Sequence, residues 1–172
     1  MTDGVRPKVK KRLLWAGAVF AALALTALLT ICNTAPCLQI RDLDTGRIVW
    51  RGAIEDRETF SVSYTHSVNK SDVNEEYQLR GSDIYLINLY YSAFGAGMTT
   101  DIYADGGLSL SYTDDGKMVV AFDKKLDDIT YSVARTADLI LHYRGEEIHF
   151  TDLAAPGELL HFEIDTYPRL LM

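Results

Sequence analysis

A chain of 172 residues has room for one domain of ordinary size. Its net charge of -7 is unevenly spread: Arg6, Lys8, Lys10, Lys11 and Arg12 outweigh Asp3 by four charges in the first 37 residues, which leaves the remainder at -11. That acidic remainder, with no basic stripe interleaved with aromatic residues, repels phosphates and excludes nucleic-acid binding.

Residues 1–12 read as a basic tail, and the next twenty, Leu13 to Cys32, carry no charge. Such a run suffices to cross a bilayer as a helix, and the cations before it set the N-terminus in the cytoplasm and the C-terminal domain outside. The expectation is one N-terminal transmembrane helix in the cell membrane, with an extracytoplasmic domain behind it. A cleaved signal peptide is the competing reading, from the basic start and apolar centre. The small-residue exit Asn33-Thr34-Ala35 suits cleavage poorly because Pro36 follows it. Neither cysteine completes a lipoprotein signal, since Cys32 follows Ile31 and Cys37 follows Pro36 where a small residue is wanted. Residues 33–37 read as a short linker. Both cysteines fall at the exit of the apolar run, outside the domain core; a local disulfide stays open, while a metal site would need ligands that are not nearby.

Residues 38–172 read as β throughout. Leu38, Ile40 and Leu43 lead into the turn Asp44-Thr45-Gly46, and Ile48 to Trp50 return as a hairpin partner. Phe60 to Val68 alternate, as do Val73 to Leu79, and Asp83 to Tyr91 form a strong run. Leu108 to Tyr112 pair with Met118 to Phe122 across Asp114-Asp115-Gly116, and Ile129, Tyr131 and Val133 make another strand. Leu139 to Tyr143 turn through Arg144-Gly145-Glu146 into Ile148 to Phe150, and Leu159 to Ile164 close the set. About nine or ten antiparallel strands at this spacing predict a single small all-β domain, a sandwich or a barrel, between which alternation does not choose.

Two polar residues break the apolar pattern. Alternation puts Phe60, Val62, Tyr64, His66 and Val68 on one face, and Val73, Glu75, Tyr77 and Leu79 on one face of the next strand. His66 and Glu75 are thus both predicted inward, nine residues apart across a turn. Burying such a pair is unfavourable unless each group is hydrogen-bonded, so a contact between them is expected, serving a ligand site or fixing hairpin register. Ser67 faces away from His66, which argues against a serine–histidine nucleophile there. Gly95, Ala96 and Gly97 make either an anion-cradling loop or a tight bend. His142 is predicted to face solvent, with His149 and His161 also solvated, and Asp114-Asp115, Asp127-Asp128 and Glu146-Glu147 read as turn chemistry. No metal or cofactor signature is present.

Tyr64-Thr65-His66-Ser67-Val68, then Val73, Glu75 and Tyr77, then Gly95-Ala96-Gly97, resemble the bacterial family called domain of unknown function 1850. The resemblance implies a small exported or anchored protein, often encoded beside permeases of TAXI-type tripartite ATP-independent periplasmic (TRAP) transporters. It carries His66, Ser67, Val68 and Glu75 over as family landmarks without a catalytic role.

The leading expectation is a non-enzymatic, membrane-anchored β domain that binds a membrane partner, a TRAP-type permease, as a transport accessory. The alternatives are a module for a small anion or other small solute using His66 with the Gly95–Gly97 loop, and an enzyme with His66 and Glu75 as acid and base.

Overall fold

The computed structural model describes residues 7–66, 70–92, 103 and 105–168, and within the first helix the side chains of residues 12 and 14–28. The chain divides into two units, residues 1–35 with 166–172 and residues 36–165. The first contains helix α1, Pro7–Cys32. Proline at the first helical position has no amide to leave unsatisfied, and Ala and Leu fill the interior. The large side chains of Leu14, Trp15, Phe20 and Leu23 are exposed. Among the described residues no helix is long and apolar enough to cross a membrane; the described side chains fall short of the predicted run, Leu13 to Cys32, at both of its ends.

The second unit is built from eleven described strands in two antiparallel sheets, which settles the choice between sandwich and barrel and adds one or two strands to the predicted number. One sheet has the order β2-β1-β11-β8, from β1 (Thr34–Asp42), β2 (Ile48–Ala53), β8 (Ile129–Ser132) and β11 (Leu159–Pro168). The other has the order β10-β9-β3-β4-β5-β7-β6. Its strands are β3 (Thr59–Thr65), β4 (Asp72–Arg80), β5 (Asp83–Tyr91), β6 (Ser109–Tyr112), β7 (Met118–Leu126), β9 (Ile140–Tyr143) and β10 (Glu146–His149).

Turn chemistry follows the sequence closely. The β1–β2 turn is held by Asp42, whose Oδ1 accepts from the Asp44 amide at 2.9 Å, and Gly46 supplies the positive φ of 71°. Between β9 and β10 the two-residue turn Arg144-Gly145 has φ of 50° and 82°, the primed geometry that matches strand twist. Glu146 and Glu147, predicted as part of this turn, therefore belong to β10. Gly52 is required for another reason: a Cβ there would stand 2.7 Å from Trp50 Cη2 and 2.8 Å from Tyr143 Cε1.

The core lies between the sheets. Leu38 and Ile40 of β1 and Leu160 and Phe162 of β11 meet Phe60 and Val62 of β3, Leu79 of β4 and Leu141 of β9. Each such side chain fully buried contributes about 1.5–3 kcal/mol. Phe60 stacks on Tyr77 at 5.2 Å and on Phe162 at 6.0 Å.

Two boundaries differ from the sequence reading. β1 begins at Thr34, so most of the expected linker is strand, and Cys37 is fully buried within it rather than lying at the edge of the domain. Phe150, predicted to end a strand, instead opens the single-turn helix α2 (Phe150–Leu153). Its amide bonds to Leu139 O at 2.9 Å while its ring buries against Phe162 and Tyr131; a helical turn lets the chain leave the sheet with both needs met.

Candidate functional site

The two faces of the seven-stranded sheet carry two different polar constellations. On the core face the β3–β4 register pairs Val62 with Glu75 and Tyr64 with Val73. Glu75 faces inward as the alternation predicts, and its partners are phenols. Oε1 accepts from Tyr64 Oη at 3.1 Å, and Oε2 accepts from Tyr77 Oη at 2.6 Å and from Tyr131 Oη in a very short contact. Tyr77 and Tyr131 hydroxyls lie 2.5 Å apart. Because Tyr131 belongs to β8, the carboxylate ties the two sheets together. Burial, reinforced by the Glu75 charge nearby, pushes the pKa of Tyr64 and Tyr77 well above the ordinary tyrosine value. For Tyr131 burial again leads, followed by its neighbours Tyr77 and Glu75. All three stay neutral donors, as a buried carboxylate requires.

His66 does not join this group. β3 stops at Thr65, and His66 follows it, partly exposed, with its amide on Ser71 O at 2.8 Å and its carbonyl accepting from Lys70 N at 3.0 Å. It sits opposite Ser71, four residues along from the Val62–Glu75 pair, about 13 Å at strand rise. The expected imidazole–carboxylate contact is therefore not formed: tyrosines, one from the other sheet, satisfy Glu75 first. Ser67, Val68, Gly95, Ala96 and Gly97 lie outside the described residues.

The opposite face is polar across its width. Register places Glu147, His142, Ser61, Glu76 and Asn88 in one row, and Ile140, Ser63, Asn74 and Tyr90 in the next. His142, outward as predicted, bridges two residues from opposite sides of its ring. Nε2 lies 2.7 Å from Ser63 Oγ, and Nδ1 lies 3.6 Å from Glu147 Oε1. Glu76 Oε2 accepts from Asn88 Nδ2 at 2.8 Å and Tyr90 Oη at 3.1 Å. Asn74 Oδ1 is buried with no hydrogen-bond partner among the described residues.

A groove of about 640 Å³ opens over this face. Ser63, Asn74, Tyr90 and His142 line it, with Asp72 and Ser92 from the strand ends and the β6–β7 turn opposite Asp138. Its walls hold Asp72, Asp115 and Asp138 against Lys117. Asp115 pairs with Lys117 at 3.3 Å, and Asp138 with His149 at 2.9 Å. Hydrogen bonding to Asp138, with its charge, raises the His149 pKa. No group of three or more His, Cys, Asp or Glu suited to a metal occurs among the described residues.

Ser63, Asn74 and Glu147 were not singled out from sequence. The His142–Glu147 neighbourhood was accessible there, because a two-residue Arg144-Gly145 turn pairs these positions. Ser63 was not, because its approach to His142 rests on β3 pairing with β9, 79 residues away.

Fold and site together define an all-β sandwich domain with a closed carboxylate–tyrosine knot inside and an open polar groove outside. Residues 60–150, more than half the chain, match the family described as a domain of unknown function (DUF1850), and the chain belongs to that family. The match spans β3 to β10 and so includes Ser63, Asn74, Glu75, Tyr131, His142 and Glu147. No curated protein and no solved structure gives a significant match.

Proposed function

We propose that this chain is a membrane-anchored, extracytoplasmic binding domain that serves a solute transporter of the TRAP type as an accessory, with the groove as its recognition site. The observation that carries this reading is the groove itself, whose volume of about 640 Å³ falls in the range of specific ligand sites. The anchor is supported by the uncharged run Leu13 to Cys32 behind five cations, and by the outward apolar side chains of α1. The transporter as partner rests on the family resemblance alone.

The test is a mild-detergent pull-down of C-terminally tagged full-length chain from its native membrane, wild type against Asn74→Arg, which fills the groove. A polytopic permease recovered with the wild type and lost with the folded variant is the expected result. Equal recovery with both removes the groove from the interface, and nothing above background removes the transporter.

The groove's size also favours a second reading, a small solute as the occupant. Three carboxylates against one ammonium suit a neutral or cationic solute better than the small anion expected from sequence. Equilibrium dialysis against labelled solutes of each charge class distinguishes them, an anion bound most tightly being the contrary result.

A further inference from the structure

We propose that Ser63 is a nucleophile in this groove and that the chain hydrolyses small carboxylic esters of neutral or cationic character. This goes beyond the binding reading and does not depend on it. The sequence argued against a serine–histidine nucleophile at Ser67; in the structure such a pair forms instead between Ser63 and His142.

Four parts that acyl transfer needs meet at one place. The nucleophile is Ser63 Oγ, 2.7 Å from His142 Nε2. The base is His142, and for Nε2 to accept a proton the ring must carry its own on Nδ1. Glu147 stands on that side, with Oε1 3.6 Å from Nδ1. Its side chain is 65% exposed and closes that gap by a rotamer adjustment. The oxyanion donor is Asn74, directly opposite Ser63 in the β3–β4 ladder, which brings their Cβ atoms to about 5 Å. Asn74 also lines the groove, where its amide N–H is the donor the developing oxyanion would meet. The fourth part is space for the substrate, which the groove supplies. Its excess of carboxylates sets the charge preference.

In the reaction, Ser63 Oγ bonds to the carbonyl carbon as its proton passes to Nε2, and the tetrahedral oxygen accepts from Asn74 Nδ2. The bond to the leaving oxygen then breaks and the alcohol takes the proton from Nε2. Water attacks the acyl-serine, delivering a proton to Nε2. Collapse returns that proton to Ser63 Oγ and releases the carboxylic acid, so the only co-reactant is water.

The experiment treats detergent-solubilised full-length chain with a fluorophosphonate probe, locates the adduct by peptide mass spectrometry, and follows p-nitrophenyl acetate hydrolysis in parallel. The expected result is one adduct on Ser63, absent in Ser63→Ala and formed roughly 100-fold more slowly in His142→Ala. Asn74→Ala lowers ester turnover about 100-fold. Glu147→Gln slows labelling and shifts its pH profile, which a merely structural carboxylate would not do. Circular dichroism of each variant establishes that it is folded. Absence of a Ser63 adduct in the wild type, or unchanged labelling in His142→Ala, overturns the proposal. Permease recovery by Ser63→Ala in the pull-down reports on the binding reading separately.

Discussion

Glu75 and Glu147 stand on opposite faces of one sheet, and their surroundings put the same functional group to different use. Glu75 is enclosed, with both oxygens taken by phenols whose hydroxyls cannot easily ionise. Glu147 is largely exposed and stands beside an imidazole whose far nitrogen meets a serine next to open volume. A carboxylate that accepts three hydrogen bonds from tyrosines of both sheets fixes structure, whereas one that orients a neighbour next to a groove is free to support chemistry. The inner face therefore holds the sandwich together, and the outer face is available for recognition.

The strongest way to break this division is Glu75→Ala, which leaves three partly buried hydroxyls without their acceptor. We expect a loss of about 3 kcal/mol in urea-induced unfolding. Raising the pH attacks the same knot. Tyr64, Tyr77 and Tyr131 have folded pKa values raised above the ordinary 10.0, so their contribution is complete below pH 10 and is lost as pH rises past it, because the unfolded chain releases these protons first. Absorbance at 295 nm should show these phenols ionising only as the fold melts. Tyr131→Phe removes one donor and leaves the ring on Phe150 and Phe162; about 1–2 kcal/mol is expected from chemical denaturation.

On the outer face the same measurements should return little. Ser63→Ala and Glu147→Gln are expected within about 0.5 kcal/mol of wild type. The smallest effect belongs to His149. Its folded pKa is raised above 6.5 by Asp138, so the pair's contribution is full below pH 6.5 and fades as pH rises through the folded value. In His149→Gln, the melting temperature difference from wild type should be larger at pH 5.5 than at pH 8, a slight shift at this exposed site.

Local features of the sandwich were legible in the sequence because they depend on neighbouring residues. Alternation placed Glu75 inward and His142 outward, and turn residues located the β1–β2, β6–β7 and β9–β10 hairpins. Partners brought by distant strands were not legible. Tyr131 reaches Glu75 only because β8 lies in the facing sheet, and Ser63 reaches His142 only because β9 pairs with β3. The end of β3 was not legible either: the alternation continues past Thr65 in sequence, but the hairpin closes through His66 and Ser71. Periodicity alone does not show where pairing stops.

The division between the faces is tested most directly by reading stability and reactivity on both: the urea midpoint and the rate of Ser63 labelling, for Glu75→Gln and for His142→Ala. A crossed pattern is predicted, with Glu75→Gln lowering the midpoint while keeping labelling near wild type under native conditions, and His142→Ala keeping the midpoint while labelling collapses. A folded Glu75→Gln that labels as poorly as His142→Ala, or a His142→Ala midpoint that falls as far as that of Glu75→Gln, would contradict it.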